Sequence, residues 1–191
     1  MMGRTAELFD EYEKWSTAQK VCFLCEHYYV MERLISNYRE ALIAEVMEQK
    51  EFSHRGENEG TGVRIQVSFG RKTDTTAGTA MKRMAVSEAI DKGWLDESFF
   101  EGIDDPEEVI RKVTVYHVIS EGYKAFSKRL DEMKPGDREI VMPYLRRDKR
   151  LCDLANELKI EYDSAVRKIN RIKKRLEREM ADCVGSVEGG M

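Results

Sequence analysis

The sequence predicts a mainly α protein: a long-helix N-terminal body followed by a C-terminal three-helix module. Three observations predict it. Two runs of apolar residues, Val21 to Leu42 and Val109 to Met133, recur at gaps of three and four. A third run, Ala165 to Met180, lies opposite a row of Lys and Arg on the helical wheel. Proline is scarce, three in 191 residues, and charged residues make up 36%, a composition suited to helices with wet outer faces.

Taken in order, Thr5 to Trp15 is predicted as a short first helix. Ser16 and Gln19 then fit a capping box, with Ser16 as N-cap and the Gln19 side chain reaching back. Val21, Leu24, Tyr28, Met31, Ile35, Tyr38 and Leu42 mark one seam through to about Glu48. Such a helix would be about 45–50 Å long at 1.5 Å per residue, so it needs a partner helix. Cys22, Cys25 and His27 lie close together on it, but a zinc site usually draws four ligands and the second pair is missing. Buried thiols on a helix face are the better reading, and no metal or other cofactor is expected.

Glu51 to Gly62 is polar and reads as a loop. Val63, Ile65, Val67 and Phe69 alternate with polar residues, which suggests a short strand or extended segment. Gly70 to Thr79 is expected to be mobile. Its Gly-Arg-Lys-Thr string lacks the first glycine of a phosphate loop, which excludes nucleotide binding there. Met81 to Lys92 reads as a helix ended by Gly93 at C′. Trp94, Leu95, Phe99, Phe100 and Ile103 follow as an apolar plug.

Asp105-Pro106-Glu107-Glu108 is a helix start: an Asp cap, Pro at the first position and Glu three residues after the cap. Val109, Val113, Tyr116, Ile119, Tyr123, Phe126, Leu130 and Met133 form the second long seam. The two seams either pack antiparallel within one chain or pair between subunits as a homodimer. Lys134-Pro135-Gly136 is a strong breaker. It divides a body, 1–134, with a polar middle segment, from a module at 137–182, and a glycine-bearing tail, 183–191, is expected to be disordered.

Within the module, Leu151, Leu154, Ala155 and Leu158 share one face of a short helix. A break at Lys159-Ile160-Glu161 precedes a longer helix with Ala165, Ile169, Ile172, Leu176 and Met180 on one face. The other face holds Arg167, Lys168, Arg171, Lys174, Arg175 and Arg178. Short helix, turn and longer basic helix are the sequence form of a DNA-reading helix-turn-helix. The competing reading is an amphipathic hairpin whose charged stripe is only a solvated face. Against it stand Ala155, small where the helices must cross, and Ile160, placed to plug the wedge between them. Charge points the same way. Residues 1–60 carry seven Lys/Arg against twelve Asp/Glu, residues 137–182 thirteen against ten, in a chain of net charge -4. That total argues against non-specific coating of nucleic acid, while its distribution marks a basic C-terminal module.

The stretch from Asp137 to Leu176 resembles region 4 of bacterial sigma factors. The matching residues are Arg138-Glu139-Ile140, Leu154-Ala155, Leu158-Lys159-Ile160-Glu161, Ser164-Ala165, Arg171 and Leu176. Lys159 stands where that family places a turn glycine, Glu161 replaces its capping Ser, and Pro143 lies inside the preceding helix. Lys159 must therefore adopt a left-handed turn at some steric cost, and Pro143 should kink or shorten its helix. In layout the chain is also similar to phage transcriptional regulators of the ArpU type, with Gly62 to Ile90 matching their middle segment. The resemblance implies a phage or prophage-derived regulator rather than a complete sigma factor.

By helix-turn-helix geometry, Tyr162, Asp163, Ser164, Arg167 and Lys168 are the candidate base readers. Arg171, Lys174 and Arg175, together with Arg146, Arg147, Lys149 and Arg150, are the candidate phosphate contacts. Double-stranded DNA is the expected partner. One module reads few base pairs, so useful affinity calls for a homodimer through the long helices or help from RNA polymerase. The main rival is a phage DNA-packaging or assembly subunit that combines a helix-turn-helix with oligomerising helices. An interaction module binding an acidic protein is a third reading. No enzyme is expected, because His27, His54 and His117 sit in no defensible catalytic arrangement. No apolar run approaches the roughly 20 residues that span a bilayer. Nor does Met1-Met2-Gly3-Arg4 lead into a signal-peptide core, so the expected location is the cytoplasm.

Overall fold

The computed structural model describes residues 9, 11–12, 14–59 and 75–184, and among these it is mainly helical with no strand. The helices are α1 (Thr17–His27), α2 (Met31–Glu59), α3 (Thr75–Lys92), α4 (Glu97–Phe100), α5 (Pro106–Asp131), α6 (Pro135–Leu145), α7 (Leu151–Glu157) and α8 (Tyr162–Val184). No helix among the described residues is long and apolar enough to cross a membrane. The segment read as an extended Val63–Phe69 run and the tail beyond Val184 lie outside the described residues.

Several starts and stops follow from local chemistry. Ser16 accepts from the Gln19 amide at 3.4 Å while its own amide donates to the Gln19 side chain at 2.9 Å, the capping box that opens α1. Asp105 accepts from the Glu108 amide at 3.1 Å and Pro106 sits first in α5. Asp96 caps the short α4 in the same way, through the Phe99 amide at 2.9 Å.

Three helices end in Schellman turns, in which the residue after the cap turns left-handed. For α3 that residue is Gly93, φ +64°. For α6 and α7 it is Arg147, φ 61°, and Lys159, φ 53°. After α6 the amides of Arg147 and Asp148 donate to the carbonyls of Tyr144 and Pro143. After α7 those of Lys159 and Ile160 donate to Asn156 and Ala155. Lys159 thus takes the left-handed turn, and α6 ends two residues beyond Pro143.

The structure corrects the sequence reading of these elements in five places. The single helix expected from Ser16 to Glu48 is broken by a 3₁₀ turn, Tyr28–Val30. At the junction His27 has φ -111° and ψ 6°, and its Nδ1 lies 3.1 Å from the Phe23 carbonyl. The helix after that turn runs on to Glu59, through what reads as a loop from Glu51, because it holds no Pro and only one Gly. Helix α3 begins at Thr75, inside the segment expected to be mobile. Trp94 does not join the plug: it is 84% exposed, while Phe99 and Ile103 are buried. The last helix continues through Cys183 to Val184, past the expected start of the tail.

By contact density the chain forms two units, Met1–Ser36 with Val118–Met191, and Asn37–His117. In the second, Leu42, Ile43 and Val46 of α2 pack with Val86 and Ile90 of α3, Phe99, Ile103, and Val109 and Val113 of α5. A polar network rims this core. Arg39 donates to both Asp91 oxygens and to Ser87, which holds the Asp91 carboxyl below its usual range. Lys112 reaches Glu45 at 2.6 Å.

In the first unit, α8 packs against α1, α6 and α7. Ala165, Ile169, Ile172, Leu176 and Met180 are all buried on its inner edge. Each large side chain so buried contributes about 1.5–3 kcal/mol. Facing them are Val21, Leu24 and Cys25 of α1, Ile140, Val141 and Leu145 of α6, and Leu154 and Ala155 of α7, all buried. Ala155 is 4% exposed, as its crossing position requires. Where the 3₁₀ turn lies, the Tyr28 ring packs beside Tyr123 and Phe126 of α5.

A non-glycine residue in left-handed backbone costs about 1 kcal/mol. Lys159→Gly should therefore raise the unfolding free energy by about 0.5 kcal/mol, net of the extra freedom glycine has when unfolded, and with it the urea midpoint. Arg147→Gly should gain less or lose, because the Arg147 guanidinium also lies 4.1 Å from the Tyr29 ring.

Candidate nucleic-acid interface

At 100° per residue, a helix anchored by Ala165, Ile169, Ile172, Leu176 and Met180 must turn a fixed opposite stripe to solvent. On α8 that stripe is Asp163, Ser164, Arg167, Asn170, Arg171, Lys174 and Arg178, all exposed. Its four cations follow one another at gaps of four, three and four. Arg167, Arg171 and Lys174 form no ion pair among the described residues, and Arg178 donates only to the Lys174 carbonyl at 3.2 Å. The helix opens with the Glu161 carbonyl accepting from the Ser164 and Ala165 amides at 3.0 and 3.1 Å.

The residues expected to read bases do not all share that stripe. Asp163, Ser164 and Arg167 lie on it. Tyr162 is 54% exposed but sits at the start of the helix on the side of the buried edge. Lys168 is half-buried on the flank, about 100° around from Arg167.

The residues expected to touch phosphate divide similarly. Arg171 and Lys174 lie on the stripe. Arg175 is half-buried and held by Asp137 of α6 at 3.0 Å, with Glu179 at 3.7 Å. Lys149 pairs with Glu157 at 2.6 Å. Arg147 stacks on Tyr29 and donates to the Glu26 carbonyl at 3.2 Å. Arg146 lies on the other side of this turn, in a notch with Tyr28, Tyr29, Arg33 and Tyr123.

Arg147, Lys149 and Arg150 instead line a groove between the end of α1, the α6–α7 turn and the start of α8. Lys173 joins them there, its ammonium 5.5 Å from the Tyr144 ring centre. Arg150 stands at the N-cap of α7, where its amide donates to the Asp153 carboxylate at 3.1 Å.

Two residues escaped the sequence reading. Asn170 lies three positions from Arg167 on the same stripe, and the 3.6-residue period alone would have placed it. Lys173 is off the stripe, and nothing local reveals that α6 and α1 enclose it. Cys25 is buried with its thiol pushed up to about 12, chiefly by desolvation. Cys22 is exposed, contrary to the expectation of two buried thiols, and its thiol is also raised, chiefly by burial. Among the described residues no group of His, Cys, Asp and Glu is arranged to hold a metal ion.

Arg175→Met should lower stability by about 1 kcal/mol, because it leaves Asp137 half-buried without its partner. Arg171→Met should stay within about 0.5 kcal/mol of the wild type, as exposed substitutions do. Parallel denaturant titrations check the contrast; equal losses would contradict the division into anchored and free arginines.

No family model, no curated protein and no solved structure matches this chain.

Proposed function

We propose that this chain is a sequence-specific, double-stranded-DNA-binding transcriptional regulator, of phage or prophage type and acting in the cytoplasm. In this reading α7 and α8 are a helix-turn-helix, and α8 enters the major groove with its exposed stripe. The observation that carries it is the row of four exposed cations, Arg167, Arg171, Lys174 and Arg178, opposite a fully buried apolar edge. Charged side chains elsewhere in the chain are commonly matched to carboxylates; these are left for something outside.

A major groove about 12 Å wide admits one helix, and the residues of its first turns meet base edges. Asp163 and Ser164 can accept or donate there, and the Arg167 fork suits a guanine edge. Asn170, one turn further, suits adenine. Arg171, Lys174 and Arg178 sit further along the helix, where a rising groove wall brings phosphates. The helix is held in place for this because α1, α6 and α7 all pack against it. A single such surface spans few base pairs, so the reading includes a second copy or RNA polymerase as partner.

Selection from a random duplex pool tests the claim, followed by binding of variants to the selected site. Arg167→Ala should lose about 1–3 kcal/mol on the selected site and little on random duplex, while Lys174→Ala should weaken both alike and lower the salt slope by about one. A pool that yields no enriched sequence, with equal losses for both variants, would refute sequence-specific reading.

A further inference from the structure

The groove beside α8 carries charge that the exposed stripe does not use. Arg147, Lys149, Arg150 and Lys173 line it, with the Tyr144 and Tyr162 rings between them. Its one lining carboxylate is Glu26. Tyr162 and Lys173 lie on the helical wheel about 130° from the middle of the stripe. A helix seated in a major groove presents roughly the half of its surface nearest the bases. Tyr162 and Lys173 fall outside that half, so the part of the groove that they line lies away from a straight duplex held by the stripe.

We infer that this groove is a second nucleic-acid site, which grips a phosphodiester backbone without reading its sequence. The inference rests on the proposed function for the nature of the ligand, but not for the place. The chemistry fits phosphodiester: two arginines, two lysines and two tyrosines line one open groove, which suits the charged oxygens of a backbone. Two of the four cations are held by rings that leave their charge unmatched, Arg147 by Tyr29 and Lys173 by Tyr144, while Lys149 is paired with Glu157. Little side-chain order is then lost on binding. The partner is either a second duplex or the flank of the first one bent back.

Titration of the full chain with random-sequence duplexes of about 12 bp at low salt tests this. The wild type should bind two per chain. Arg150→Ala/Lys173→Ala should bind one, and its salt slope should fall by about two. Arg150→Lys/Lys173→Arg should keep the second duplex, which separates charge from folding. A duplex of about 40 bp that saturates at one per chain assigns the phosphates to a bent flank, and two per chain assigns them to a second molecule. A wild type that binds one short duplex, or a groove variant that matches it in stoichiometry and slope, overturns the second site. Equal weakening of every duplex without loss of stoichiometry would mean one continuous surface and also overturn it. Displacement by a polyglutamate peptide that the groove variant no longer binds, with no duplex effect, would make the ligand an acidic protein instead. Arg167→Ala/Lys174→Ala reports on the stripe alone: if it binds both duplexes unchanged, the proposed function fails while the groove stands.

Discussion

The first unit depends on one act of burial. Ala165, Ile169, Ile172, Leu176 and Met180 lose their water together against α1, α6 and α7. Because α8 is a regular helix, fixing that edge also fixes which side chains cannot be covered. The cationic stripe is the geometric complement of the core. The two left-handed turns serve the same end: Arg147 and Lys159 reverse the chain tightly enough for α6 and α7 to reach the same helix. Evolution of a glycine at either site would ease the backbone, but Arg147 would then lose its hold on Tyr29.

The chain handles its charges in two different ways. In the unit from Asn37 to His117, Arg39, Arg83, Lys92 and Lys112 each meet a carboxylate of the same unit. Exposed pairs of this kind add little stability apiece, yet they leave no strong field. On α8 the arrangement is reversed, with Arg167, Arg171 and Lys174 facing solvent together. Mutual repulsion along one face costs stability, and it is offset by the apolar edge behind it. That contrast between matched and unmatched charge supports a polyanion as the ligand.

Much of this was legible in the sequence because it rests on period and capping. The inner edge of α8 was legible residue by residue, as were the Asp105 and Ser16 caps and the Gly93 terminus; the left-handed turn at Lys159 came only from the resemblance. What escaped depends on contacts distant along the chain. The seam through Leu24, Tyr28 and Met31 keeps its spacing across the 3₁₀ turn, so only the His27 geometry reveals the break. That α1 lies on α8 follows from packing between segments some 150 residues apart, for which no local pattern exists. Arg175 likewise looked like a free cation, although Asp137, 38 residues earlier, holds it. Asn170 carries no charge signal, and only the helical period places it on the stripe.

The most direct measurement is an amide-resolved NMR titration of the full chain with the selected duplex. The account predicts that the largest shift changes and the strongest slowing of hydrogen exchange fall between Asp163 and Arg178, on stripe residues ahead of their buried neighbours. Changes confined to the unit from Asn37 to His117, with α8 unmoved, would contradict it.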